Sequence, residues 1–389
     1  MTGSEPIAYY VSSHGHGHAA RSCDIIAAFN RQRPDLPAIV VSSVPEPFFR
    51  GRLSSEANRF RRRSFDAGVV QSDALSVDLA GTRAALGRLI EAAPRRIEAE
   101  AEFLRRHRVR LVVSDIPAVP IQAAARAGVP AIAVGNFSWN WIYEQLDDGA
   151  PEWAAAARAY REGYAAADRL LRLPFHEPMD AFARIEDLPL VATPGRARRR
   201  EIAQAARCRD DGIWVLIGFN SLAWDADALD RLDAIPRCVF LSFHPLRWLR
   251  RNFRAIDRQA FPFSDVLDSC DIVLTKPGFG IVSECIVNDK PMVYARRESF
   301  PEQQILERAI RRHARAVAVP TGDLYAGRLA EAIEAAPALP APPGSIPRGG
   351  AEIAARRLAA AADARPPTAG AADACRDARV QPPARRTRP

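Results

Sequence analysis

The chain has 389 residues, enough for two domains, and at 48% hydrophobic residues it can bury ordinary cores, which excludes wholesale disorder. The formal net charge is +8, carried by arginines spread along the whole chain, with Lys276 and Lys290 as its lysines. That spread reads as a coding preference rather than a nucleic-acid surface, and leaves room for a mild attraction to acidic membranes or phosphorylated ligands. Cys23, Cys208, Cys238, Cys270, Cys285 and Cys375 are scattered without a CxxC pair, so neither a zinc site nor a disulfide framework is indicated. Residues 1–6 are short and polar, and no apolar run approaches the ~18 residues of a membrane span. The expectation is a soluble cytoplasmic protein.

In chain order, Ile7–Ser12 reads as a strand, Ala19–Gln32 as a helix and Ala38–Ser42 as a second strand. Arg59–Arg63 reads as a solvated basic loop, which could also touch acidic lipid as a peripheral membrane contact. A helix over 84–106 is followed by a strand at Arg110–Ser114, a helix at Ile121–Ala127 and a strand at Pro130–Val134. Short apolar runs alternating with helices predict a parallel sheet covered on both faces. Prolines and the Arg196–Arg200 run break the pattern between 174 and 200, which marks a linker.

The alternation then restarts, with strands at Ile213–Ile217, Cys238–Ser242, Ile272–Thr275 and Pro291–Ala295. Helices are predicted at Ala226–Leu232, Ile281–Val287 and 303–313, and a last one at Glu352–Ala362 after a Pro-rich connector. Two βα domains in tandem follow, an α/β fold of two Rossmann-like sheets. Residues 364–389 have almost no large apolar side chain and read as a disordered tail.

Two turns carry chemistry. Ser12-Ser13-His14-Gly15-His16-Gly17-His18 joins the first strand to the first helix. Its glycines admit a ligand close to the backbone, and the helix start offers free N–H groups to an anion. The spacing is neither a dinucleotide fingerprint nor a P-loop. Three alternating histidines invite a metal reading, but alternation in an extended loop sends them to opposite sides and no further ligand cluster completes a shell. His18, nearest the helix, suits removal of a proton from a hydroxyl. His14 and His16 either meet the acceptor or merely line the loop. Asp115 closes a strand on the same rim and either orients His18 or caps the next turn. Asn136, Trp139, Trp141 and Tyr143 follow another strand end, where the aromatic faces either stack on an acceptor or fill the core. Gln71, Asp73 and Asp78 have no defined role, and Arg296 and Arg297 sit either at an anion or at the surface.

In the second half, Thr275–Glu284 again runs from a strand through a Gly-rich turn into a helix. Lys276, Gly278, Phe279 and Gly280 would bring N–H groups and a cation to a diphosphate, Ser283 and Glu284 follow within the helix, and Glu284 could bind ribose hydroxyls. Phe300-Pro301-Glu302-Gln303-Gln304 is a polar cluster at another helix start.

These motifs resemble the GT-B glycosyltransferases, in particular the peptidoglycan N-acetylglucosaminyltransferase family. More closely, they resemble the glycosyltransferase-like N-terminal half of plant arabinokinases. The likeness is carried by residues 9–21, 65–78, 112–143, 171–182, 272–297 and 349–355. The kinase half of those plant proteins has no counterpart here. The resemblance implies an acceptor domain over 1–190 and a nucleotide-sugar donor domain over 191–363, facing across a cleft. It implies His18 as the group acting on the acceptor, Glu284 as the ribose ligand and Gln303 and Gln304 as donor-sugar ligands. Gly218, Asn220 and Ser221 lie where such enzymes have a Gly-rich donor loop, although the Gly-Gly-Ser pattern is missing. UDP is the usual donor nucleotide of related enzymes. The activity so implied is inverting, metal-independent transfer from a UDP-sugar to an unidentified acceptor, without a cofactor and without nucleic acid. A nucleotide-sugar hydrolase and a non-catalytic nucleotide-sugar binding protein remain as alternatives.

Overall fold

The computed structural model describes residues 5–71, 76–219, 222–245, 247–296 and 300–364. In the first half the strands are β1 (Ile7–Val11), β2 (Ala38–Ser42), β3 (Arg59–Arg62), β4 (Leu111–Asp115), β5 (Ala131–Gly135), β6 (Arg169–Arg172) and β7 (Ile185–Asp187). All pair in parallel, in the order β3-β2-β1-β4-β5-β6-β7. Every residue of β1, β2, β4 and β5 is buried, as expected of a parallel sheet with helices on both faces. The helices are α1 (His16–Gln32), α2 (Glu46–Arg50), α3 (Leu79–Arg106), α4 (Val119–Ala127), α5 (Trp139–Gln145) and α6 (Pro151–Ala165).

The second half opens with α7 (Arg199–Ala206) and continues with β8 (Ile213–Ile217), α8 (Ala226–Asp233), β9 (Cys238–Phe243), β10 (Phe253–Ile256), α9 (Phe263–Ser269) and β11 (Ile272–Thr275). Then come α10 (Phe279–Val287), β12 (Met292–Ala295), α11 (Gln303–His313), β13 (Ala316–Val319), α12 (Thr321–Tyr325), α13 (Ala330–Ala335) and α14 (Gly350–Asp363). The sheet order is β10-β9-β8-β11-β12-β13, again parallel. The order reverses between β1 and β4 in the first sheet and between β8 and β11 in the second. Each reversal leaves a crevice at the carboxyl ends of two adjacent strands.

The structure corrects the expectation at three places. Arg59–Arg62 is an edge strand, not a solvated loop. Arg61 pairs with the buried Glu100 and lies 3.9 Å over the Phe103 ring, so its charge and its stem are both used. The stretch expected to be a linker holds β7, and α7 begins inside its arginine run. Arg198 pairs with Glu201, and Arg199 pairs with Asp271 and lies 4.4 Å over Trp214. Finally, α14 belongs with the first unit. Its Ala351, Ala354, Ala355, Leu358 and Ala362 share one buried cluster with Ile7, Tyr9, Ile25 and Phe29. Alanines on that face let α14 lie close along α1, and this packing overrides chain order.

The two units meet backbone to backbone. A Cβ placed on Gly280 of α10 would stand 3.0 Å from the Gly17 Cα of α1. Phe137 of the first unit stacks on Phe279 of the second, at 5.9 Å and 17°. Among the described residues, no helix is long and apolar enough to cross a membrane. The tail from 365 onward lies outside the described residues.

Candidate active site

β1 and β4 run side by side with Val11 opposite Asp115, and the Ser12 amide donates to the Asp115 carbonyl at 2.9 Å. Chain positions far apart in sequence are thereby brought onto one rim. The chain leaves β1 through Ser13-His14-Gly15. Gly15 has φ 85°, the left-handed region that favours glycine, and α1 begins at the next residue without a side-chain cap. On the other wall α10 begins after Gly278, also without a side-chain cap. Both helix starts therefore open their first N–H groups toward the space between the units.

That space is a cleft of about 530 Å³. The first unit lines it with His14, His16, His18, Arg21, Phe48, Arg52, Val69, Gln71 and Phe137. The second lines it with Gly218, Arg258, Phe263, Thr275, Lys276, Gly278, Phe279, Gly280, Glu284 and Glu302.

His18 is buried against the cleft wall, with Nδ1 2.8 Å from Asp115 Oδ1. Asp115 is fully enclosed. Burial alone would raise its carboxyl, but the Arg21 guanidinium and His18 hold it well below the usual carboxylate range. Arg21 donates from Nε to Oδ2 at 2.8 Å and from Nη2 to Oδ1 at 2.5 Å. Its Nη1 donates to Asn136 Oδ1 at 2.9 Å, and Ser22 Oγ donates to Asp115 Oδ2 at 2.9 Å. The ionised carboxylate is therefore fully satisfied, as a buried charge must be.

The three loop histidines face three different partners. His14 packs edge-on to Trp139 at 5.2 Å, and its Nδ1 accepts from the Val69 amide at 3.4 Å. His16 stacks on Phe48 at 5.2 Å and 11°. His18 turns to Asp115. With their rings directed apart in this way, the three do not form a shared ligand shell.

On the opposite wall, Glu284 is half-buried one turn into α10. Burial pushes its carboxyl up to about 7, helped by Asp24 and opposed by Arg52 and Arg258. Burial likewise raises Asp24 to about 6, while Arg52 and a hydrogen bond with Thr193 pull it down. Arg52 lies 5.0 Å over the Phe48 ring, and Arg258 lies 4.3 Å over Phe243. Acids and cations from both units thus surround one end of the cleft.

Of the expected residues, the structure brings His18, Asp115, Gly218, Lys276, Gly278, Phe279, Gly280, Glu284, His14 and His16 around this cleft. Asp115 stands behind His18, and the buried Ser283 lies beside Glu284 on α10. Gln303 and Gln304 open α11 next to the cleft-lining Glu302, and Gln303 donates to Glu307 at 2.9 Å. Asn220 and Ser221 lie outside the described residues, as do Asp73 and Arg297.

Asn136 and Trp139 sit one layer behind the wall. Asn136 holds Arg21, and the Trp139 indole donates to Asp66 at 3.3 Å and stacks on Tyr143. Core packing wins over acceptor stacking for Trp139 because its ring is enclosed on all sides. Asp78 caps α3, accepting from the Gly81 amide at 2.9 Å, and Arg296 pairs with Glu307.

Sequence reading missed Arg21, Arg52, Arg258 and Asp66. Arg21 lies three residues after His18, one helical turn on, and that spacing was the available signal. Asp66 is a buried acid whose carboxyl is raised by burial, against Ser12, His18 and Trp139. It sits in a loop with no motif of its own.

No protein-family profile matches the chain. It is 31% identical over 362 residues to L-arabinokinase of Arabidopsis thaliana, covering 90% of this chain and 34% of that protein. The chain thus spans about a third of the length of that curated relative. Among solved structures it is similar to a UDP-glucosyltransferase from Polygonum tinctorium that glucosylates indoxyl. The TM-score is 0.59 at 14% identity, over 94% of this chain and 100% of that one. It is also similar to UDP-glucose:anthocyanidin 3-O-glucosyltransferase in complex with UDP. There the TM-score is 0.57 at 13% identity, over 97% and 98%. The fold is that of the GT-B glycosyltransferases.

Proposed function

From this GT-B fold we propose a glycosyltransferase that moves a sugar from a UDP-sugar to an acceptor hydroxyl with inversion. The observation that carries it is the 2.8 Å His18–Asp115 pair, facing the uncapped start of α10 across one cleft. His18 takes the proton of the acceptor hydroxyl. That oxygen attacks the anomeric carbon from the face opposite the nucleotide, and the C–O bond to the diphosphate breaks. The electron pair leaves with the nucleoside diphosphate, whose charge falls on the first amides of α10 and on Lys276, so the step is written without a metal. Glu284 holds the ribose, Gln303 and Gln304 the donor sugar, and Gly218 approaches the phosphates. The acceptor lies against His14, Gln71 and Val69. UDP as the nucleotide is supported by the UDP complex of the similarly folded anthocyanidin glucosyltransferase. A cytoplasmic setting is supported by the free thiols of Cys23, Cys208, Cys238, Cys270 and Cys285.

The test is thermal unfolding with UDP, dTDP, GDP, ADP and CDP. A nucleotide at 100 times its dissociation constant adds about 2.7 kcal/mol. UDP should shift the transition selectively, and Glu284→Ala should remove the shift. No response to any nucleotide would sink the reading. Product formation from UDP-sugars with and without alcohol acceptors then separates transfer from hydrolysis, and no turnover under either condition leaves a binding protein.

A further inference from the structure

Arginines with much of their surface buried are matched to acids in this protein: Arg21 to Asp115, Arg61 to Glu100 and Arg199 to Asp271. Two arginines that line the cleft are not. Among the described residues, Arg52 and Arg258 make no direct ion pair and donate no side-chain hydrogen bond. Their close contacts are aromatic faces. Arg52 lies over Phe48, whose ring also stacks on His16, and Arg258 lies over Phe243, with Phe263 at 5.8 Å. A guanidinium resting on a ring uses its face and keeps its N–H edge, the fork that binds an oxyanion through paired hydrogen bonds.

The two come from opposite units. Arg52 follows α2, where its own amide and that of the buried Leu53 donate to the Phe49 carbonyl at 2.9 and 2.8 Å. Arg258 lies between β10 and α9. There the Gln259 amide donates to Asp257 Oδ1 at 2.8 Å, and the amide of the buried Phe261 donates to the Asp257 carbonyl at 3.0 Å. Both side chains are thus mounted on anchored turns. Partial burial and the charge of Arg52 both disfavour the charge on Arg258, while Glu284 favours it. Glu284 answers the pair incompletely, because burial pushes its carboxyl up to about 7 and leaves it partly protonated near neutral pH. Two like charges in each other's field repel, and an anion between them turns that repulsion into attraction.

We propose that Arg52 and Arg258 form a clamp for a phosphate or diphosphate group, closed from both units. A carboxylate offers its two oxygens along one edge. A phosphate offers oxygens in several directions, and so meets forks that arrive from two sides together with the open start of α10. The clamp rests on the arginines alone. That its phosphate is the diphosphate of a nucleotide donor rests on the glycosyltransferase reading, and in that case the first unit holds the donor as well as the acceptor.

The test is calorimetric titration of the full chain with inorganic diphosphate and, separately, with UDP. Inorganic diphosphate should bind one per chain. Arg52→Met and Arg258→Met should each weaken it about tenfold or more, the loss expected for a charged hydrogen-bonding partner. Arg52→Lys keeps the charge beside Asp24 and Glu284 but loses the fork. It should also weaken binding, and it serves if Arg52→Met fails to fold. Arg126→Met, which breaks a surface pair with Glu98 outside the cleft, should leave the affinity unchanged. The clamp is overturned if inorganic diphosphate does not bind, if the cleft variants bind it as the wild type does, or if Arg126→Met weakens it equally. The UDP titration identifies the source of the phosphate. Displacement of inorganic diphosphate by UDP, with the same losses in the variants, assigns the clamp to the donor. Simultaneous binding, or UDP affinity indifferent to both arginines, overturns that assignment. If no nucleotide binds while arginine-dependent diphosphate binding persists, the glycosyltransferase reading fails and the clamp stands.

Discussion

At the residue scale the site turns on how a buried charge is satisfied. Asp115 accepts from Arg21, His18 and Ser22, so removing it strands the Arg21 guanidinium in the interior. Asp115→Ala should cost ~3–5 kcal/mol in urea unfolding, the usual penalty for breaking a buried pair from one side. His18→Ala leaves the Arg21–Asp115 pair intact. It should therefore abolish turnover while changing the unfolding free energy by only ~1–2 kcal/mol and preserving the UDP shift. Equal stability losses in the two variants would contradict the assignment of the pair as the structural core of the site.

Glu284 and Asp24 give a pH dependence of opposite sign to that of Asp115. Their carboxyls rise from the ordinary 4.5 and 3.8 to about 7 and about 6 on folding. Folding therefore takes up protons, and stability falls as the pH climbs from about 4 through about 7. Asp115 is depressed below its ordinary 3.8, so its contribution is present above that value and lost only in strong acid. With cleft solvent screening the charges, the loss between pH 5 and pH 8 should be on the order of 1 kcal/mol. Glu284→Gln should flatten it, and parallel pH curves for the two proteins would refute the assigned environment.

At the element scale, the decisive contacts are those of helix ends with glycines. The Gly280 position faces Gly17 Cα across the units, so a methyl group at Gly280 must push α10 away from α1. Gly280→Ala should leave the circular dichroism spectrum intact and weaken the UDP shift at least about fivefold in affinity, a difference of ~1 kcal/mol. A Cβ on Gly350 would stand 2.1 Å from the Pro189 carbonyl, with no room to yield because both are backbone. Gly350→Ala should lower stability by about 1–3 kcal/mol, the cost of overpacking, by displacing the first turn of α14. Wild-type stability in that variant would mean α14 does not sit as described.

At the scale of the whole molecule, the last helix ties the end of the chain to its beginning. Tyr9, Ile25 and Phe29 share a buried cluster with Ala354, Ala355 and Leu358. A chain ending before Gly350 uncovers the α1 face of the first sheet while leaving the second sheet's own core in place. Limited proteolysis of that truncation should cut first within residues 5–190 and spare 210–335. Preferential loss of the second half instead would show that α14 contributes little to the first unit.

Periodicity in the sequence was enough for the central strands and their helices, because a strand buried on both faces must be an unbroken apolar run. Ile213–Ile217, Ile272–Thr275 and Gln303–His313 match the predicted segments residue for residue. The edges were not legible. Arg59–Arg62 is a strand because β2 lies beside it and because Arg61 finds Glu100 and Phe103. His18, Lys276 and Glu284 could be named because a turn between strand and helix is a local pattern. Arg21, Arg52 and Arg258 could not, since among many arginines only spatial neighbours single one out. The sequence by itself determined two parallel α/β units and the Gly-rich turns that follow β1 and β11, since local apolar runs and glycines encode both. The tertiary structure alone decided which acid meets His18, that Arg21 shares that acid, that Asn136 and Trp139 stand behind the wall, and that α14 returns to α1. Each of these depends on groups distant in sequence becoming adjacent at a sheet crossover or in the packing of the core.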